Sequence, residues 1–192
     1  MERRRGTELE TALLDAAWEQ LGDTGYGGFT FDAVAERAGT SKSVLYRRWP
    51  TRDALLMATL QRRHQARKRV APDTGSLRGD VIALLRSANH LGNTMAAIVS
   101  MRMGTYFQET GKTPAIVRRE ILGDQPTAME TIFDRAMKRG EISTRTFPSR
   151  VVTLPFDLLR HEAMMTLSEV PDEVILEIVD AIFMPLVGIP PT

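Results

Sequence analysis

Residues 30–49 read TFDAVAERAGTSKSVLYRRW, and this stretch decides the fold of the N-terminal part of the chain. Thr30 is a residue type that caps helices, and Asp32 follows it where a first turn would favour negative charge. Gly39 predicts the end of this helix, because glycine adopts the left-handed conformation that reverses the chain. The first part of the stretch is therefore a short helix closed by a tight turn.

A second short helix is predicted to start at Ser41, with the hydroxyl of Thr40 or Ser41 capping its free amides. Trp49 closes this helix, since the proline that follows disfavours helical backbone before it. Two helices joined in this way form a helix-turn-helix, whose second helix can enter the major groove of DNA. Helical spacing leaves one polar side of this second helix exposed, formed by Lys42, Ser43 and Tyr46.

At these residues the sequence resembles the TetR family of bacterial transcription regulators. The shared pattern runs from a threonine that opens the helix, through an alanine-glycine turn, to a serine, a lysine and the pair Leu45 and Tyr46. The resemblance covers residues 7 to about 60. Three residues depart from it: Ser43 replaces a common glycine, Val44 a common threonine and Trp49 a common phenylalanine. The first two departures alter the reading surface, whereas the third changes packing.

The resemblance implies that Lys42 and Tyr46 contact the DNA backbone or adjacent bases, and that Arg52 meets a phosphate at the start of the fourth helix. Arg48 has the geometry to bind guanine with two hydrogen bonds if it reaches the major groove. The side chain of Val44 can meet a thymine methyl, although it can equally belong to the core. The predicted DNA-binding residues are Thr30, Thr40, Ser41, Lys42, Ser43, Val44, Tyr46, Arg47, Arg48 and Arg52.

Positive charge is concentrated in the N-terminal third of the chain. Residues 1–69 carry 13 Lys and Arg against 9 Asp and Glu, whereas residues 70–192 carry 12 against 15. Within residues 37–69, ten basic residues accompany one acid, Asp53. A basic patch gives affinity for DNA by releasing counterions, although a charged run alone is also typical of a solvated surface. Its overlap with the helix-turn-helix favours the DNA interpretation.

The apolar spacing predicts helices throughout the chain. A first helix ends in the glycine-containing stretch 22–28, and a fourth helix starts at Thr51 and continues into the basic run. A loop is predicted at 71–76, and later helices at 77–91, 95–108, 114–122, 126–139, 148–167 and 171–187. The predicted fold class is all-α, with a three-helix helix-turn-helix domain (1–50), a connecting helix (51–70) and a larger helical domain for effector binding and dimerisation (71–192).

Composition argues against other classes of protein. The chain has 192 residues and no cysteine, which excludes disulfides, thiol catalysis and cysteine-bound zinc. Its histidines, His64, His90 and His161, lack the spacing of metal ligands, and no glycine-rich phosphate loop is present. We therefore predict no enzymatic activity, no metal and no cofactor. The absence of a signal segment or an apolar run of about 18 residues predicts a cytoplasmic protein.

Two tasks are predicted for the larger domain. The resemblance implies dimerisation through the last two long helices, whose apolar residues can equally form the core of the monomer, and Pro155 can kink the first of them. It also implies an effector pocket, which large, soft side chains suit, although an ordinary core uses the same residues. The predicted ligand-binding residues are Met101, Tyr106, Phe107, Phe133, Met137, Phe156, His161 and Met165.

Together these features predict a ligand-responsive regulator of transcription that binds double-stranded DNA as a homodimer. A short reading helix makes few base contacts, which favours two-fold dimers on inverted repeats. The resemblance implies repression that a small apolar or aromatic effector relieves. The alternative is a helical interaction protein of the same fold that no longer binds DNA in a sequence-specific way.

Overall fold

The computed structural model describes residues 6–66, 70–90, 98–122, 127–143 and 147–188, and this part of the chain is helical and contains no strand. A π-helical segment, Ile178–Phe183, joins the last two helices. The helices are α1 (Thr7–Gly28), α2 (Phe31–Arg37), α3 (Lys42–Tyr46), α4 (Arg52–Ala66), α5 (Leu77–His90), α6 (Gly104–Thr110), α7 (Pro114–Leu122), α8 (Ala128–Lys138), α9 (Ser149–Thr166), α10 (Asp172–Glu177) and α11 (Met184–Leu186). The all-α prediction is confirmed.

The chain forms two compact units that do not follow its linear order. Unit 1 comprises Met1–Lys68 and Ile98–Asp124, and unit 2 comprises Arg69–Ala97 and Gln125–Thr192. The segment that carries α6 and α7 thus packs with the N-terminal helices, although it lies inside the range 71–192 of the predicted larger domain. Sequence periodicity places a helix but does not say which neighbour covers it.

The core of unit 1 lies between the helices α1 to α4 and this inserted segment. Leu13, Leu45 and Leu55 are fully buried and come from α1, α3 and α4. Tyr106 of α6 and Val117 of α7 belong to the same apolar cluster. Burial of one such side chain stabilises the folded state by about 1.5–3 kcal/mol. The helices α6 and α7 therefore contribute directly to the stability of the N-terminal helices.

Unit 2 has its own core, built from α5, α8, α9 and the C-terminal helix, which comprises α10, the π-helical segment and α11. Phe133 of α8 lies between two aromatic rings, with centroid distances of 5.1 Å to Phe147 and 6.2 Å to Phe183. The helix α9 runs through Pro155, which is buried. Most apolar residues of α9 to α11 contribute to this core, whereas Ile182 and Leu186 are exposed.

Several predicted boundaries are confirmed and two need correction. The loop at 71–76 and the starts of α5 and α7 lie where the sequence placed them. In α1 the predicted break is confined to Gly25, which has a φ of 68° and a ψ of −173°, and helical backbone resumes up to Gly28. The helix predicted at 95–108 is wrong as a single helix, because a turn at 102–103 separates residues 98–101 from α6. Residues 95–97 lie outside the described part.

Candidate nucleic-acid interface

The turn between α2 and α3 follows the sequence prediction closely. The Oγ1 of Thr30 accepts a hydrogen bond from the Ala33 amide at 3.2 Å and so caps α2. Gly39 has a φ of 63°, and its amide donates to Glu36 O at 3.0 Å. The Thr40 amide donates to Ala35 O at 2.9 Å, so the last carbonyls of α2 are satisfied by a Schellman motif. The turn is therefore rigidly specified by its own backbone.

The start of α3 differs from the prediction, since no side chain caps it. Ser41 has the extended backbone of an N-cap residue, but its Oγ lies 2.8 Å from the Oγ of Ser43. This hydroxyl pair takes the group that would otherwise accept an amide of α3. The predicted cap by Thr40 or Ser41 is therefore wrong.

The outer side of α3 presents the polar residues that the spacing predicted. Lys42, Ser43, Tyr46 and Arg47 are exposed, while Leu45 is fully buried. Val44 is half-buried and packs against the core of unit 1, and both interpretations of it are compatible with this position. The exposed side is wide enough to meet a groove with several side chains.

Both principal candidates on α3 are held by residues of α2. The Tyr46 ring stacks on Phe31 with a centroid distance of 4.1 Å and an interplanar angle of 24°, yet half of the residue stays exposed. The Lys42 Nζ lies 3.1 Å from Asp32 Oδ1, and both side chains are mostly exposed. The aromatic stack fixes the direction of the tyrosine, whereas the exposed ion pair is easily exchanged for a phosphate.

Two arginines predicted to bind DNA have partners inside unit 1. Arg48 is half-buried and donates to Val44 O at 3.3 Å. Arg52 is 29% exposed at its side chain, places its guanidinium carbon 3.6 Å from the centroid of the Tyr26 ring, and donates to Tyr26 O. Its Nη1 also lies 3.6 Å from Glu109 of α6. The guanidinium of Arg52 thus faces protein groups on several sides.

Other members of the basic patch are likewise engaged within unit 1. Arg37 donates to Asp23 at 2.6 Å and to Gln20 at 3.0 Å, which ties α2 to α1. Arg63 lies over the ring of Trp18, 4.9 Å from its centroid. The charge count of the sequence therefore includes basic residues whose side chains already have partners within unit 1. Residues 67–69 lie outside the described part of the chain.

Sequence reasoning missed a polar cluster where α6 and α7 meet α4. The Tyr106 hydroxyl donates to Asp53 Oδ1 at 2.6 Å, and Lys112 Nζ lies 3.6 Å from Asp53 and 3.0 Å from Glu120. Burial and the bond to Asp53 raise the pKa of Tyr106 to about 12. The bond to Glu120 raises the pKa of Lys112 above its usual value. A tyrosine among apolar residues gives no sequence signal for such a partner.

The predicted ligand-binding residues are divided between the two units. Met101, Tyr106 and Phe107 belong to unit 1, where Tyr106 is fully buried against Tyr26 at a centroid distance of 4.9 Å. The rest, Phe133, Met137, Phe156, His161 and Met165, belong to unit 2. There Phe133 is a core residue, Phe156 is half-buried, and Met137, His161 and Met165 are exposed. Neither unit by itself gathers the whole predicted set.

One open depression of about 360 Å³ lies on unit 1, beside the break in α1. It is lined by Gly25, Arg102 and Met101 among others, so it contains one predicted ligand residue. Within the described part of the chain, no group of three His, Cys, Asp or Glu residues is placed to hold a metal ion. In the same part, no helix combines the length and the apolar character needed to span a bilayer.

Comparisons with known proteins agree with this geometry. Residues 13–59 match the family model of bacterial regulatory proteins of the tetR family, and residues 71–182 match the model of the tetracyclin repressor-like C-terminal domain. The chain is 31% identical over 157 residues to the HTH-type transcriptional regulator AqdR of Rhodococcus erythropolis, which covers 82% of this chain and 74% of the relative.

Solved structures show the same fold. The TetR family transcription regulator SCO0332 matches with a TM-score of 0.65 and 23% identity, over 96% of this chain and 100% of the other. The FadR regulator of Bacillus subtilis, in complex with stearoyl-CoA, matches with a TM-score of 0.68 and 15% identity, over 93% of this chain and 98% of the other.

Proposed function

Since this chain belongs to the TetR family and is a DNA-binding transcriptional regulator, we propose that it represses transcription as a cytoplasmic homodimer on an inverted-repeat operator. The observation that carries this proposal is the ordered, exposed side of α3, where Tyr46 stacks on Phe31 and Lys42 stands at the surface. Three to four such side chains read one half-site, and a second copy reads the other.

The roles on this side follow from chemistry. Lys42 supplies one positive charge to a phosphate, and Tyr46 supplies a hydroxyl at a position fixed by the aromatic stack. Arg47 is exposed next to them and supplies a second charge. Ser43 carries a hydroxyl that can donate to or accept from a base edge. Arg48 and Arg52 have protein partners within unit 1, so the proposed direct contacts centre on α3.

We also propose that a small apolar or aromatic effector relieves repression by favouring a conformation in which the two reading helices no longer match successive major grooves. FadR of Bacillus subtilis binds stearoyl-CoA, so acyl-CoA esters belong in the effector screen beside aromatic compounds. An effector held well above its dissociation constant should stabilise the protein by more than about 1 kcal/mol, which a thermal-shift assay detects.

The test of DNA reading is selection of bound fragments from the source genome, followed by titration of the best fragment at two salt concentrations. We expect an inverted repeat. Tyr46→Phe keeps the stack on Phe31 but removes the hydroxyl, and should weaken operator binding about fivefold. Lys42→Ala should lower the salt slope by about 0.9 per protomer, whereas Lys138→Ala, at an exposed position of α8 in unit 2, should leave it unchanged.

Two outcomes would contradict this proposal. Diffuse recovery of fragments without a common sequence would favour the helical interaction protein that has lost specific reading. Equal affinity of the normal protein and both α3 variants would remove this side of α3 from the interface. Sedimentation of the free protein measures the dimer independently of DNA.

A further inference from the structure

The break in α1 lies directly before the helix-turn-helix. Gly25 adopts a left-handed φ of 68°, and a side chain built there would lie 3.1 Å from both the Cβ and the carbonyl oxygen of Arg102. Three residues after the break, the chain continues through Gly28 and Phe29 into α2. The direction in which α2 and α3 leave α1 is therefore set by what holds this short stretch.

Arg102 holds the chain before the break. Its guanidinium donates to the carbonyl oxygens of Gly22 and Asp23, the last turn of α1 before Gly25. The carbonyl of Arg102 itself accepts from the Tyr26 amide at 3.3 Å. One residue thus bonds to both sides of the break, and it reaches them from the inserted segment of unit 1.

Arg52 holds the chain after the break. It donates to Tyr26 O, lies over the Tyr26 ring and pairs with Glu109, while its Nε is buried. Tyr26 is almost fully buried and makes an edge-to-face contact with Tyr106 of α6. A planar guanidinium suits this combination of ring and carbonyl, which a lysine ammonium would not reproduce.

We propose that Arg52 and Arg102 form an arginine clamp that positions the helix-turn-helix, and that Arg52 serves this purpose in place of a phosphate contact. The proposal rests on the operator binding proposed above. Both arginines act through the stretch around Gly25, so they are positioning residues. Loosening the clamp displaces the reading helix, which removes base contacts but leaves the diffuse attraction of DNA phosphates.

The experiment titrates an operator duplex and an unrelated duplex of equal length across a series of salt concentrations. Arg52→Lys keeps the charge and should weaken operator binding about tenfold, with an unchanged salt slope and affinity for the unrelated duplex within about twofold. Arg102→Met should likewise weaken operator binding about tenfold. Arg47→Ala, on the exposed side of α3, is the matched control and should lower the salt slope by about 0.9 per protomer.

Glu109→Gln leaves Arg52 intact, and the two possible roles of Arg52 predict opposite changes in operator binding. The arginine clamp predicts operator binding about threefold weaker, because Arg52 loses an ion-pair partner. A phosphate contact predicts tighter binding, because a competing carboxylate is removed. Thermal melting checks the folding of each variant, and Glu109→Gln carries the test if Arg52→Lys does not fold.

The inference is overturned if Arg52→Lys binds the operator normally, if Glu109→Gln binds it more tightly, or if Arg102→Met leaves operator binding unchanged. These results differ from a failure of the proposed function, in which the normal protein itself would not prefer the operator over the unrelated duplex.

Discussion

Arginine side chains stabilise both compact units, but they bind different partners in each. In unit 2, Arg78 donates two hydrogen bonds to Asp180 at 2.6 and 2.7 Å, and Arg86 donates two to Asp172 at 2.6 Å. These pairs join α5 to the C-terminal helix. Each pair is electrically neutral, so it contributes packing and geometry without a net charge.

In unit 1 several arginines bind neutral groups, although Arg37 and Arg52 also pair with the carboxylates of Asp23 and Glu109. Arg102 donates to backbone carbonyls, Arg63 lies over an indole ring, and Arg52 binds both a ring and a carbonyl. A cation bound to a neutral group keeps its charge, so it can order the unit and still attract DNA over a distance of about one Debye length. The comparison teaches that a DNA-binding unit can use its basic residues structurally without cancelling its positive field.

In unit 2, we expect the largest loss of stability from removing the buried carboxylate of Asp80. Asp80 is fully buried and accepts hydrogen bonds from the Thr74 amide at 2.6 Å, the Thr74 hydroxyl at 2.8 Å and Arg139 at 3.1 Å. Asp80→Ala should lower the free energy of unfolding by about 3–5 kcal/mol in urea titrations, because it leaves Arg139 without its buried partner. The exposed Asp73 supplies the control, and Asp73→Ala should cost about 1 kcal/mol or less. Equal effects would show that burial does not set the strength of these pairs.

The corresponding test in unit 1 is to disturb the break in α1. Gly25→Ala places a side chain in left-handed backbone and against Arg102, and should cost about 1–2 kcal/mol in the same titrations. Gly27→Ala is the matched control, since nothing lies within 4 Å of its added methyl group and its backbone is not left-handed. A loss at Gly27 as large as at Gly25 would contradict the role of the break.

Low pH distinguishes arginines that pair with carboxylates from arginines that bind neutral groups, because only the carboxylates become protonated. Hydrogen bonds from Arg86 and Arg78 lower the pKa of Asp172 and of Asp180, respectively, below the ordinary 3.8. Because the folded pKa is depressed, the stabilisation is fully present above pH 3.8 and is lost as the pH falls through the lowered folded value. Asp172→Asn should therefore lower the urea midpoint at neutral pH and match the normal protein in strong acid. Arg102→Met, which loses neutral partners, should keep its deficit at every pH.

Lys42 pairs with the exposed carboxylate of Asp32, and this pair provides the smallest predicted effect. Asp32→Asn should tighten binding to operator and unrelated duplexes by about threefold each, because Lys42 loses a carboxylate partner that competes with the DNA phosphates. The gain should disappear when Lys42 is also replaced by alanine. Asp15→Asn removes the same charge from α1, in the same unit, and should have less effect. Weaker binding by Asp32→Asn would mean that this carboxylate contacts DNA.

The sequence predicted the elements whose cause is local. The Thr30 cap and the Gly39 turn depend on residues a few positions apart, and both are confirmed. The exposed side of α3 followed from helical spacing, because packing of Leu45 alone fixes the rotation of so short a helix. The hydroxyl of Ser41 was wrongly predicted as a cap, since the competing hydroxyl of Ser43 satisfies it equally well.

Contacts between distant parts of the chain could not be predicted in this way. The resemblance implies a phosphate contact for Arg52, and the sequence does not reveal that Tyr26 and Glu109 lie beside it. Arg102 carried no signal at all, being a single cation about 80 residues from the carbonyls it binds. The predicted pocket residues were chosen for size and softness, which core residues share, and the structure assigns them to two units. Which of them an effector contacts stays a prediction.

The π-helical segment Ile178–Phe183 sets which residues of the surrounding helix face the core. Ile175, Val179, Phe183 and Val187 are buried at intervals of four, and Ile178 and Met184 are buried beside them. In a regular α-helix such a repeat would drift by about 40° at each step and leave the core. The wider π turn holds one more residue and absorbs this drift. Deletion of one residue within this segment is therefore expected to be absorbed by a return to regular α-helical winding.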